Sequence, residues 1–328
     1  MARKASERRR NNIVFWSKVL LTTLLIVFLV RTFFIESYTI SSRQMESSLL
    51  AGDHVFVDKT AYGIRLPMTP LSIPFTFDNI GGIKSYTSLC RLPYKRIMAQ
   101  EAKRNDIVLF NNPMETDKPL DKRSLLVSRC VGLPGDTIVR QDGKYRINGT
   151  EYILSPDFVS EYQFTPSSLS DIRSVARKHA IDFSKVSQEG SRLAIRLNRY
   201  EAYLLNQELE EVHRLDLSQE DRIGYSLIVP HKGMTVALTE KNRLCYQSII
   251  LDELGKKGEF KDGILHLDSV PQHSYTFEDD YYWMLSDNSE NRADSNTIGF
   301  VPFRNIIGKF RFVWYNLEKE DRSFLKAK

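Results

Sequence analysis

Cysteine is scarce: Cys90, Cys130 and Cys245 are the only three, they lie far apart, and none forms a CxxC pair. That pattern points away from a zinc site or a disulfide framework and leaves room for at most one bridge; three buried thiols packing as small hydrophobes are the expectation. Internal repeats and low-complexity tracts are missing, helix-period stripes are scarce after residue 36, and only one stretch is apolar enough to cross a bilayer. Charge of one sign is also modest. The formal net charge is +5, and much of it sits in Arg3, Lys4, Arg8, Arg9 and Arg10, just before the apolar run. Placed there, the excess is a topology signal and not a footprint for nucleic acid. What the chain does have is 328 residues, 42% hydrophobic and 27% charged. It can bury a core, and wholesale disorder is excluded.

The apolar run extends from Ile13 to Ile35, with no charge between Val19 and Val30. A hydrocarbon core of ~30 Å needs about 20 helical residues, so Lys18 and Arg31 must sit near the two ends and snorkel outward. A cleavable signal peptide is the competing reading, but no small-x-small site follows Val30; Arg31, Thr32, Phe33 and Phe34 come next. A retained anchor is therefore expected. The five basic residues argue against a core helix of a soluble protein, and the positive-inside rule places residues 1–12 in the cytoplasm and the body outside it.

Beyond the anchor the patterns are strand-like. His54-Val55-Phe56-Val57-Asp58 and Asp106-Ile107-Val108-Leu109-Phe110 are short β-branched or aromatic runs, and Lys309 to Tyr315 alternates with a period of two. Turn signals punctuate them at Gly52-Asp53, Leu133-Pro134-Gly135-Asp136, Asp142-Gly143 and Asn148-Gly149. A mainly β, barrel-like body follows. The middle differs: Asp171 to His179 and Tyr200 to His213 carry helical spacing, with Leu204, Leu205, Leu209 and Val212 on one face of the second. Pro67, Pro70, Pro74 and Pro93 mark an extended loop without regular structure. The expected organisation is a basic tail (1–12), a transmembrane helix (13–35), a β core in two parts (36–149 and 231–318), an inserted α+β lobe (150–230) and a charged C-terminal tail (319–328).

Four blocks in order resemble type I signal peptidases of the S26 family, particularly those of Bacteroidetes-type bacteria. They are Arg31 to Ile40 continuing into Met45-Glu46-Ser47-Ser48-Leu49-Leu50-Ala51-Gly52-Asp53; Lys103 to Phe110; Arg129-Cys130-Val131-Gly132-Leu133-Pro134-Gly135-Asp136; and Tyr281 to Asn288 with Arg292-Ala293-Asp294-Ser295 and Gly299-Phe300-Val301-Pro302. The resemblance implies an antiparallel β body with an inserted lobe, bound to the bacterial inner membrane by one span and facing the periplasm. It also implies hydrolysis of the bond after a signal peptide by a serine whose proton passes to a lysine, without cofactor or metal. A serine hydroxyl needs a neighbouring base, and a lysine with a reference pKa of ~10.4 can serve only if burial keeps it neutral.

The chain departs from that pattern where the chemistry sits. The family's nucleophile immediately precedes the methionine of the first block, and here that residue is Gln44; its general-base lysine precedes the arginine of the third block, and here that residue is Ser128. The serine that positions the lysine corresponds to Arg292, the glycine before Asp287-Asn288 to Ser286, and the arginine after Ser295 to Asn296. Ser42 stands where the family has an oxyanion-hole hydroxyl, while Met45, Arg129, Asp287, Asn288, Asp294 and Ser295 remain as scaffold. Gln44, Ser128 and Arg292 are expected to form a hydrogen-bonded plug across the former site. Ser41, Ser42 or Ser128 as a displaced nucleophile, or His54 as a replacement base, are the alternatives; His54 reads as a surface residue.

The reading is thus a membrane-anchored, catalytically inactive signal peptidase homologue that binds signal peptides or other exported polypeptides, or serves an active peptidase or an envelope complex; the alternative is an active peptidase with an atypical nucleophile. The middle lobe and Tyr281-Tyr282-Trp283 are candidate docking surfaces, although aromatic strands are more often core.

Overall fold

The computed structural model describes residues 2–73, 79–87, 90–288, 293–317, 319 and 322–326, with backbone alone at 2–11, 79–80 and 220–221. A helix spans Ala2–Phe33. It thus begins inside the basic tail and ends two residues before the expected limit, because Ile35–Thr39 is already a strand. Its Asn12–Phe33 portion, 22 residues containing an 18-residue stretch of mean hydropathy 2.4, is long and apolar enough to cross a membrane, and no residue of that stretch is buried against the body.

The exit from this helix is fixed by charge. Arg31 Nε donates to Glu36 Oε1 at 2.7 Å and the Tyr38 hydroxyl to Glu36 Oε2 at 2.6 Å, while the Lys59 ammonium reaches both Glu36 and, at 3.0 Å, the Arg31 carbonyl. A cation on the last carbonyls suits the negative end of the helix dipole.

The body is mainly β. Seven strands pair in the order Ile35–Thr39, Asp53–Asp58, Ile306–Asn316, Ile107–Asn111, Leu125–Gly132, Tyr281–Leu285 and Val301–Pro302, each antiparallel to its neighbour. Register shifts between His54 and Val55, between Phe56 and Val57, and between Ile306 and Gly308 bend the long last strand and curl the sheet. The 107–111 strand is buried along its whole length, so alternate residues serve two cores. Ile107 and Leu109 join Met45, Leu49, Val55 and Val57; Val108 and Phe110 join Tyr62, Cys130, Tyr282 and Met284. Gly132 is required by close approach, since a Cβ there would lie 2.7 Å from that of Trp283.

Asp142-Gly143 and Asn148-Gly149 do turn hairpins, with positive φ at all four residues, between Thr137–Gln141, Lys144–Ile147 and Thr150–Tyr152. Residues 159–217 form a second four-stranded sheet carrying helices Leu169–Lys178 and Arg199–Glu208 over its own apolar core, with Phe164, Ile172, Ile195 and Leu205 at its centre. The second of these helices stops at Glu208, before the expected His213. The Asn198 side chain and Glu201 cap its start reciprocally.

Several expectations are corrected. The stretch after 231 contains a 15-residue helix, Glu240–Leu254, which Thr239 caps and whose Tyr246, Ile249 and Ile250 are buried. Tyr281, Tyr282 and Trp283 are core residues and offer no docking surface. The proline-rich loop holds two minimal ladders, Ile64–Arg65 with Arg96–Ile97 and Asn79–Ile80 with Ile83–Lys84; Pro74 lies outside the described residues. Of the three free cysteines only Cys130 is buried; Cys90 is exposed and Cys245 half-buried. The C-terminal segment folds back, with Arg322 paired to Asp53 at 2.8 Å and Phe324 stacked on Phe312.

Burial opposes the charge of Glu36, but Lys59, Tyr38 and Arg31 outweigh it and hold the carboxyl below the usual range; Asp53 is held down likewise against burial by Arg322, Asn316 and the Leu50 amide. A carboxylate with a lowered folded-state pKa adds stability that is complete above its unfolded value of about 4 and drains as pH falls through the folded value. The thermal midpoint in detergent should therefore decline between about pH 5 and pH 2, and Asp53→Asn should flatten that decline; an unchanged slope in the variant would exclude this origin.

Candidate functional site

The segment from Ile40 to Asp53 leaves one edge strand and enters the next, and its tight backbone turns (Ser48 N and Leu49 N on Met45 O, Gly52 N on Ile40 O) make it a compact loop. Met45 and Leu49 are its apolar plugs, 1% and 0% exposed. What holds this loop against the sheet is polar. Arg129 grips Asp287 through two donors, Nε to Oδ1 at 3.0 Å and Nη2 to Oδ2 at 2.7 Å, and Nη2 also donates to Ser48 Oγ at 3.0 Å. The Ser48 hydroxyl donates in turn to Asp287 Oδ2 at 2.6 Å. Next to it, the Asn288 amide nitrogen donates to the Gln44 carbonyl at 3.0 Å, and its side chain donates to the Arg43 carbonyl and Glu46 Oε2, both at 3.1 Å.

Strand register explains the meeting. Arg129 and Leu285 are paired residues, so Asp287 emerges two positions beyond, beside Arg129, at the point where the loop crosses. Burial disfavours the guanidinium charge of Arg129, yet the Asp287 bonds more than compensate and raise its pKa. A bidentate, nearly desolvated pair of this kind is geometrically demanding.

Asp294 and Ser295 act one layer back. Asp294 Oδ2 accepts from Ser286 N at 3.0 Å and Oδ1 from Asn296 N at 3.0 Å, capping the short Ser295–Ile298 helix, and Ser295 Oγ accepts from Met284 N at 2.8 Å. Together they fix the end of the 281–285 strand and hence Asp287 and Asn288.

Gln44 is 8% exposed and Ser128 fully buried. Ser128 faces Val108 across the ladder and shares a face with Cys130, an apolar setting. Among the described residues, Gln44 Oε1 and Ser128 Oγ have no hydrogen-bond partner, and the same holds for Ser47 Oγ and Ser286 Oγ. The expected plug is corrected accordingly: no hydrogen bond joins Gln44 to Ser128, and Arg292 lies outside the described residues. Ser42 is half-buried, with no bond to a base among the described residues. His54 is half-buried, stacked on Tyr315 at 4.1 Å and bonded to Thr39 at 3.1 Å. Sequence reasoning overlooked Ser48, whose hydroxyl completes the Arg129–Asp287 contact; its place inside the first block was the available signal.

Removing the acid from a buried pair leaves an uncompensated charge. Asp287→Ala should cost about 3–5 kcal/mol in chemical denaturation, whereas Ser128→Ala, which deletes a buried hydroxyl without a partner, should be neutral or stabilising. Equal losses in the two variants would contradict this division.

The family model for signal peptidase, peptidase S26, matches residues 13–211 and 228–315. A signal peptidase I of Buchnera aphidicola subsp. Baizongia pistaciae is 28% identical over 300 residues, spanning 91% of this chain and 75% of that protein. A signal peptidase I of Helicobacter pylori strain J99 is 24% identical over 298 residues, 90% of this chain and 80% of its own. The crystal structure of a signal peptidase I from Enterococcus faecalis V583 shares 16% identity across 64% of this chain and 97% of that one, at a TM-score of 0.25, too loose a superposition to add weight. With a match over most of its length, the chain belongs to the signal peptidase family, peptidase S26.

Proposed function

We propose that this member of the family has lost peptide-bond hydrolysis and acts in the bacterial inner membrane as a binding or accessory subunit for exported polypeptides. The observation that carries the reading is the pair Gln44 and Ser128, directly before Met45 and Arg129, where the family's nucleophile and base stand. An amide forms no acyl-enzyme, and a hydroxyl takes no proton at neutral pH. Loss of a serine nucleophile costs a factor of about 10⁶ in kcat, roughly 8 kcal/mol; Ser42, at the oxyanion position, does not restore that.

The substitutes fare poorly on geometry. Ser128 Oγ has no base bonded to it among the described residues. Ser41 and Ser42 precede the required point by at least two residues, and a displacement of about 1 Å already costs ~10²-fold. His54 is engaged by Thr39 and Tyr315. Yet the clamp of Arg129, Asp287 and Asn288, which shapes the loop around Met45, is complete. A family cleft that takes an extended chain through strand edges needs the scaffold and not the dyad. The basic residues before the apolar helix support a cytoplasmic N-terminus and a periplasmic body. A signal peptide, an active signal peptidase or an envelope complex is the partner this reading calls for.

Incubation of the purified protein in detergent with a preprotein bearing an Ala-x-Ala site should give no cleavage above buffer, while photo-crosslinking captures the intact preprotein. Turnover that disappears on substitution of a single serine would overturn the proposal.

A further inference from the structure

A concavity of about 210 Å³ opens at the seam between the 159–217 sheet and the 137–147 hairpin. It shares none of Gln44, Ser128, Arg129 or Asp287. Lys144 and Asp142 stand exposed at its rim; Tyr145, Phe158 and Tyr162 supply aromatic surface; Arg199 reaches it from the start of its helix. Arg140, 6% exposed with its guanidinium 5.6 Å from the Tyr145 ring centroid, adds buried positive charge. Three cations, Arg140, Lys144 and Arg199, face two lining acids, Asp142 at the solvated rim and Asp294, which accepts from the Ser286 and Asn296 amides, so the lining keeps a positive excess; Arg199 Nη1 also donates to the Leu154 carbonyl at 3.0 Å. The volume is below the ~300–1,000 Å³ of sites for drug-sized ligands, so one residue's worth of ligand fits. Planar guanidinium groups match carboxylates, and aromatic walls match an apolar or aromatic side chain.

We propose that this cleft is a non-catalytic binding site for a carboxylate carried on a single apolar or aromatic residue, with Arg199 and Lys144 meeting the carboxylate and Phe158 and Tyr162 the side chain. Its back wall is shared with the other site's supports: Asp294 fixes Ser286, and Val159, next to Phe158, donates its amide to the Asp287 carbonyl at 3.0 Å. Occupancy therefore bears on the same strand end that positions Asp287 and Asn288.

The test is calorimetric titration of the full chain in detergent with N-acetylphenylalanine, its amide, and a decapeptide ending in phenylalanine with a free carboxylate. Saturable binding of the acid is expected, with the amide about tenfold weaker. Arg199→Gln combined with Lys144→Gln should weaken the acid by at least about tenfold, and Lys144→Gln alone, at an exposed position, by less. The charge-matched pair Lys178→Gln and Lys261→Gln, outside the cleft, should leave binding intact. A decapeptide binding at least as tightly as the acid identifies a polypeptide terminus as the ligand; a weaker decapeptide identifies a free small acid. Absence of saturable binding by both, equal binding of the amide, or indifference to the Arg199 and Lys144 changes would overturn the assignment.

Discussion

The structure depends on one ion pair. Arg129, from the middle of the sheet, holds Asp287, from the strand beside it, and the Ser48 hydroxyl closes the contact from the loop that crosses both. Three segments separated by more than 80 residues in sequence are joined at one buried point. Without it the middle of the 40–53 loop would lean chiefly on the burial of Met45 and Leu49, and apolar burial is not directional. Asn288 adds direction, setting the backbone at Arg43 and Gln44. The clamp's bonds run to the Arg43 and Gln44 backbone and to the Glu46 and Ser48 side chains, so it does not depend on which side chain stands before Met45.

That separation of scaffold from chemistry gives the proposed loss of activity its physical sense. A buried neutral lysine is costly, and it is useful only beside a serine that it can deprotonate. Position 128 carries a small hydroxyl beside Val108 and Cys130. Four side-chain oxygens from the converging segments, at Gln44, Ser47, Ser128 and Ser286, lie buried without partners among the described residues. Such groups each tend to destabilise a fold. The clamp, in contrast, has kept every bond it needs.

Much of this was legible in sequence, and for identifiable reasons. Asp142-Gly143 and Asn148-Gly149 announce hairpins because few other residue pairs accept two positive φ angles. The apolar helix is visible from its length and its uncharged run, and the clamp residues Arg129, Asp287 and Asn288 all lie within the four blocks. Helix Glu240–Leu254 was missed because its buried residues are few and its exposed face includes Leu244; the signals were Thr239 before Glu240 and Gly255 at the end. The Tyr281–Leu285 run is ambiguous in sequence between surface and core, since full burial on both faces removes alternation. The missing link between Gln44 and Ser128 was invisible for another reason: family positions give proximity of chain, whereas a hydrogen bond depends on which face of a strand a short side chain occupies.

The most direct measurement is chemical. The protein, purified in detergent, is treated with a serine-directed β-lactam or penem inhibitor and its intact mass determined. The account predicts an unmodified mass at every inhibitor concentration that acylates an active family member. A stoichiometric adduct mapped to Ser41, Ser42 or Ser128 would contradict it.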